Sequence, residues 1–174
     1  MLARAPASTV PLRPGSAAQT WDTLRLMRQV ARSSALLPPV IAYAHNIAAE
    51  QPDLDGHDQR ALAAALRAHL ERRIRYLPDP AVTDTETIRT PLYMLAELEA
   101  RGHARGDCDD VATLAASLAT ALGVRSRLIA LAWGGVYAHV YAAPLELEGI
   151  DWDVTARGRE GMRAASSGTM YIDV

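Results

Sequence analysis

Large apolar side chains recur at three-residue steps from Trp21 through Leu24, Met27 and Val30, with Leu26 filling in. That period predicts an amphipathic helix that starts after Thr20 as N-cap and ends near Ser34. Pro38 and Pro39 suit the first positions of a second helix, with Val40, Ala44, Ile47 and Ala48 on one face, so the two form a helical hairpin. The segment 51–56 breaks the pattern. From about Asp58, Leu62, Leu66, Leu70 and Ile74 stand four apart on a longer helix, and His69 beside that stripe reads as a partly buried, hydrogen-bonded histidine.

Tyr76-Leu77-Pro78-Asp79-Pro80 forces an extended exit, because a residue before proline is pushed away from helical angles. Residues 81–89 read as a loop. Thr90-Pro91 then marks the N-cap and first position of a helix with Leu92, Leu95 and Leu98 inward, ending at Arg101-Gly102. The strongest helical signal runs from Cys108 to Leu122, with Val111, Leu114, Ala115, Leu118 and Leu122 as its apolar face and Gly123 as its stop. Its many alanines allow close approach by other elements, which makes it the central helix.

After Val124 the period changes. Leu128 to Leu131, a Gly134-Gly135 turn and Val136 to Tyr141 spell a β-hairpin. A third strand is expected at 150–154 and a fourth at 170–174. The fold class is therefore α+β: N-terminal helices followed by a cysteine-bearing central helix packed on a small, mostly antiparallel sheet. Residues 1–19 contain three prolines and almost no large apolar side chains, which predicts a flexible or extended arm. Residues 20–174 form a single domain, with a helical part at 20–105 and a core at 106–174.

Composition narrows the function. The chain has 174 residues and is 49% hydrophobic, enough for one real core. Its formal charge of -2 lacks the basic excess typical of nucleic-acid binding. The 18 basic residues are all arginine, so the chain offers no lysine as Schiff-base nucleophile or isopeptide acceptor. The first twenty residues have no apolar run suited to a signal peptide, and no stretch is long and apolar enough to span a membrane. The expected setting is a reducing cytoplasm, with a non-classical route or incorporation into a particle as the ways outward. Neither nucleic acid nor membrane is an expected partner, and no cofactor or metal is expected.

Chemistry concentrates at Gly106-Asp107-Cys108-Asp109-Asp110, which holds the single cysteine of the chain. If Asp107 caps the helix, Cys108 is its first residue, and the unpaired N–H groups and positive dipole end favour thiolate. The same N–H groups suit an oxyanion. Each flanking carboxylate at ~6 Å opposes the thiolate by roughly 2–3 kcal/mol at an effective dielectric of about 20, whereas an imidazolium at ~3.5 Å contributes roughly 4–5 kcal/mol. Successive helical residues turn by about 100°, so Asp110 falls towards the back of the helix as a structural hydrogen-bonding group.

A histidine partner decides the balance. His139 lies mid-strand among Tyr137, Val140 and Tyr141, and its tautomer needs a third group. Asp153, fourteen residues on, can supply it from the neighbouring strand. Singly, each of the three has a commoner structural explanation; in the order Cys, His, Asp they make nucleophile, base and orienter for acyl transfer.

These residues resemble the transglutaminase-like family of papain-type cysteine enzymes. The resemblance runs through Gly106-Asp107-Cys108-Asp109-Asp110-Val111-Ala112, Leu114, Leu118, Ala121-Leu122-Gly123-Val124, Tyr137-Ala138-His139-Val140 and Asp153-Val154-Thr155. It spans about Arg72 to Thr155, including Ile74-Arg75-Tyr76 and Thr90-Pro91. It implies Cys108 as nucleophile, His139 as base and Asp153 as orienter, with Asp151 competing for the last role. The doubled aspartate and small size look most like compact members encoded by tailed bacteriophages and prophages. The chain departs from the family pattern at Val140, where the family often has an aromatic.

Two functions follow as expectations. One is an acyl-transfer enzyme of peptidase or transglutaminase type, acting on amide bonds of a protein or peptide substrate. The other is a virion assembly component that keeps the fold and binds neighbouring virion proteins through its surface and arm. Metal binding by Asp107, Asp109, Asp110 and His139 ranks below both, for want of an EF-hand glycine and of a second sulfur or histidine ligand at the usual spacing.

Overall fold

A computed structural model describes residues 8–11, 17–51, 57–78, 85–155 and 166–174. The remainder of the predicted arm, the break at 52–56, the exit through Asp79-Pro80 and loop residues 81–84 lie outside the described residues. Along the chain come strand β1 (Ser8–Pro11), helices α1 (Ala17–Ala35), α2 (Pro38–Ala49) and α3 (Gln59–Arg73), strands β2 (Ile74–Tyr76) and β3 (Thr85–Ile88), helix α4 (Pro91–Arg101), strand β4 (Ala104–Gly106), helix α5 (Cys108–Ala121), and strands β5 (Ser126–Trp133), β6 (Val136–Pro144) and β7 (Gly168–Asp173). The fold is mixed α+β with small sheets.

Local chemistry sets several helix ends. Asp58 Oδ1 accepts from the amides of Arg60 and Ala61 at the start of α3, at 2.9 and 3.0 Å. Thr90 Oγ1 accepts from Tyr93 N–H ahead of Pro91, and Gly102 ends α4 at a φ of 73°. Helix α1 begins three residues before Thr20, which lies inside it rather than capping it. The alanines ahead of Thr20 continue the helix. Ile74, expected to end the α3 stripe, opens β2 instead.

Helix α5 is buried along Asp109 to Ala119. Its alanines, Ala112, Ala115, Ala116 and Ala119, carry almost no exposed surface, and they allow α1, α2 and strands β5 and β6 to pack against one helix. Around it lie Leu24, Met27, Val40, Leu66, Leu70, Leu128 and Trp152, all nearly or wholly buried. Burial of such a side chain contributes about 1.5–3 kcal/mol, so the helix that starts at Cys108 is held by the core rather than by its own caps.

Three sheets are present among the described residues: antiparallel β6-β5-β7, a parallel pair β2-β4 and an antiparallel pair β1-β3. The last two alter the sequence reading. Ser8 to Pro11, in the expected arm, pair with Thr85 to Ile88, in the expected loop. The portion before residue 106 therefore contains strands as well as helices. The strand expected at 150–154 is absent. There Val154 N–H donates to Trp152 O at 3.0 Å and Asp153 N–H to its neighbour's side-chain oxygen, Asp151 Oδ1, also at 3.0 Å. Both amides are spent in a local turn, leaving Trp152 N–H on Ala142 O, at 2.8 Å, as the ladder-like bond to β6.

Candidate functional site

Strand β4 delivers the chain to the cysteine. Tyr76 pairs with Gly106, and Leu77 N–H donates to Gly106 O at 3.0 Å. A side chain at position 106 would bring a Cβ to 2.8 Å from Asp110 Cβ and Oδ2 and to 3.2 Å from Met94 Cε. The glycine ahead of the cysteine is thus required by the carboxylate packed under it.

That carboxylate is structural, as its helical position implies. Asp110 is fully buried; its Oδ1 accepts from Arg89 N–H at 2.6 Å, and Oδ2 lies 3.1 Å from Arg89 Nη1. Arg89 Nη1 also donates to Arg105 O at 2.8 Å. Asp110 consequently ties the residue after β3 and the strand before α5 to the first turn of that helix.

Asp107 holds the N-cap position with extended backbone angles, but its side chain makes no capping hydrogen bond. The expected side-chain cap is therefore corrected: Asp107 Oδ1 is buried without a hydrogen bond, and the first-turn amides are not shielded by it. Cys108 is the first residue of α5 and is half-buried. Carboxylate oxygens of Asp107, Asp109 and Asp110 lie within 4.8 Å of one another. His139 is not part of that group. With Asp110 engaged by Arg89, the cluster gives no independent reason to place a metal there.

His139 lies on β6, opposite Leu131 of β5. The register shifts between Leu131 and Ala132, which faces Tyr137, so Ala138 is an extra residue next to the histidine. Such a bulge re-aims neighbouring side chains. Tyr141 stacks on the imidazole with ring centroids 6.1 Å apart.

The histidine and Asp153 come together. His139 Nε2 lies 2.8 Å from Asp153 Oδ2, with both side chains essentially buried. A carboxylate only accepts, so Nε2 carries the proton and Nδ1 presents a lone pair. Nδ1 is buried and makes no hydrogen bond, so it is not hydrogen-bonded to the thiol. Thr155 Oγ1 donates to the second oxygen of the carboxylate, Asp153 Oδ1, at 3.2 Å.

Asp151, the competing orienter, has a different place. Its Oδ1 receives Arg67 Nη1 at 2.8 Å as well as the Asp153 amide, and Arg67 Nη1 also lies 2.9 Å from Asp151 O. Trp152 is fully buried, and its indole N–H donates to Ala63 O of α3 at 2.9 Å. Arg67, Ala63 and Trp152 were not identifiable as site residues from local pattern, because α3 meets this segment across more than eighty positions. The only local cue was alternation in Asp151-Trp152-Asp153-Val154-Thr155.

Among the described residues no helix is long and apolar enough to cross a membrane. Comparison with known proteins returns no matching family model, no matching curated protein and no matching solved structure.

Proposed function

We propose that the chain is a transglutaminase-like cysteine acyl-transfer enzyme acting on amide bonds, with Cys108 as nucleophile, His139 as base and Asp153 as orienter. The observation that carries this reading is the buried 2.8 Å bond between His139 Nε2 and Asp153. It leaves the basic nitrogen uncommitted on a strand packed against the helix that Cys108 begins.

In the proposed cycle the thiol proton passes to His139 Nδ1 and the sulfur attacks the amide carbonyl carbon. Charge on the carbonyl oxygen is met by the first-turn N–H groups of α5. The C–N bond breaks, the imidazolium returns its proton to the departing amine, and a thioester remains on Cys108. Water or a second amine, deprotonated by His139, then releases the acyl group. Asp153 keeps the ring in the required tautomer and stabilises the imidazolium. Catalysis needs Nδ1 and the sulfur to close on each other, and such contacts commonly tighten only once substrate is bound.

The missing hydrogen bond between Nδ1 and the thiol favours a second reading, a virion assembly component that keeps the fold without turnover. The pH dependence of Cys108 alkylation separates the two. An active site gives a midpoint below the free-thiol value of about 8.5. His139→Gln, which retains an N–H donor for Asp153 and removes the base, moves that midpoint up. A slow, unshifted thiol in the wild type refutes the enzyme reading and leaves the fold intact.

A further inference from the structure

We infer that Arg67 of α3 is a positioning residue for the His139–Asp153 pair, acting through Asp151. This rests on the acyl-transfer reading for its functional meaning, but its geometry stands independently. Asp153 sits outside any strand, so a continuous ladder of backbone bonds does not locate its carboxylate. A base orienter needs such location, since a rotated carboxylate releases the other imidazole tautomer, whose Nδ1 is protonated and unable to accept from a thiol.

Arg67 supplies the missing constraint. One guanidinium nitrogen, Nη1, reaches both the carbonyl and the carboxylate of Asp151, at 2.9 and 2.8 Å. Asp151 Oδ1 in turn receives the amide of Asp153 at 3.0 Å. The guanidinium is steadied by Glu71, whose Oε1 lies 3.0 Å from Nε on the next turn of the same helix. Arg67 therefore sets the backbone of the residue whose side chain holds His139. Trp152, anchored on Ala63 of the same helix, prevents the segment from sliding, while Arg67 fixes its rotation. Arg67 is only partly buried, so its removal deletes three directional bonds, two of them to Asp151, with little loss of core.

The test compares Arg67→Met and Arg67→Lys with the wild type in the full chain. The imidazole nitrogen resonances of His139 report the tautomer, and iodoacetamide alkylation reports Cys108. The wild type should show one tautomer, protonated at Nε2. Arg67→Met should show a mixture of tautomers and an alkylation midpoint about one pH unit higher, which slows alkylation at pH values below the wild-type midpoint by up to about tenfold. Arg67→Lys keeps the charge but not the fork, and should recover part of both signals. A merely structural arginine would lower the unfolding midpoint while leaving the tautomer and the alkylation profile unchanged, and that result overturns the proposal. If Arg67→Met does not fold, Asp151→Asn serves instead: it keeps an acceptor for the Asp153 amide, weakens the grip of Arg67 and should shift both signals in the same direction. If the wild-type thiol alkylates like a free one, the acyl-transfer reading fails. The His139 tautomer in Arg67→Met then decides the positioning role alone, a mixture upholding it and an unchanged signal overturning it.

Discussion

His69 in the helical half and His139 on the sheet share nearly the same burial, at 4% and 6% exposure, yet differ in what they can do. Each commits Nε2 to one hydrogen bond and leaves Nδ1 without one. For His69 the partner is the Tyr43 hydroxyl at 2.9 Å, with the Glu50 carboxylate 3.6 Å from Nδ1. For His139 the partner is a buried carboxylate. A phenol can donate to imidazole and is satisfied by the neutral ring. A buried carboxylate requires a proton on the nitrogen facing it, and becomes a stronger partner once the ring is charged. Burial is common to both; the acid–base character of the partner separates a packing histidine from a candidate base.

The surroundings of His69 reinforce its neutral state. Burial is the largest influence and pushes its pKa below the ordinary value; Glu50 opposes this, and Arg73 and Arg72 add to it. Burial likewise raises the pKa of Tyr43, against the pull of Arg73. The pair lines a small cavity of about 220 Å³ together with Asn46, Glu50, Arg73 and Glu99.

Truncation should expose the difference most strongly. His139→Ala strips the buried Asp153 carboxylate of its main partner, and an expected loss of about 3–5 kcal/mol follows for a broken buried pair. His69→Ala leaves a hydroxyl that is easier to satisfy, so its polar penalty should be about 1–3 kcal/mol. Urea unfolding of both variants checks the order; equal losses would break the distinction. Next in size, Trp152→Phe removes the indole donor to Ala63 O and part of a fully buried ring, for an expected cost of about 2 kcal/mol. Because Trp152 neighbours Asp153, this variant should also perturb the His139 imidazole resonances and leave those of His69 in place. Tyr43→Phe should cost about 1 kcal/mol by equilibrium unfolding, with no change in Cys108 alkylation.

The smallest effect is a pH dependence. The folded state holds the pKa of His69 below its unfolded value, so the unfolded chain binds the proton first as the solution is acidified. Stability is fully present above the unfolded value of about 6.5 and declines as pH falls from there through the lower folded pKa. Unfolding curves between pH 7.5 and 5.5 should show this decline in the wild type and a weaker one in His69→Gln. Parallel curves would remove His69 from the account.

Helices were legible in the sequence because their signals are local. Proline at the start of α2 and α4, Asp58 before α3 and the apolar period of α5 each act within a turn or two. The hairpin of β5 and β6 was legible for the same reason, through its two-glycine turn. Three-residue strands β2 and β4 show no measurable period, and β1 pairs with a segment nearly eighty positions away. Cys108, His139 and Asp153 could be singled out as residue types, and the pairing of the last two follows the expected order. The strand proposed for Asp153 failed because alternation in 151–155 also suits a turn, in which side chains and indole, rather than ladder bonds, hold the chain. The dependence on Arg67 had no local trace.

Strand β1 has a mechanical consequence. Its ladder begins with Ser8 opposite Ile88 and finishes with Pro11 opposite Thr85. Ile88 is followed at once by Arg89, which is fastened to Asp110 on the cysteine helix. A pull on the chain ahead of Ser8, resisted at Arg89, enters this antiparallel ladder at one end and opens its pairs in succession instead of shearing them together. The N-terminal strand therefore works as a tear strip: β1 peels pair by pair under less force than shearing its ladder would need, which limits the load that Arg89 passes to the helix that carries Cys108.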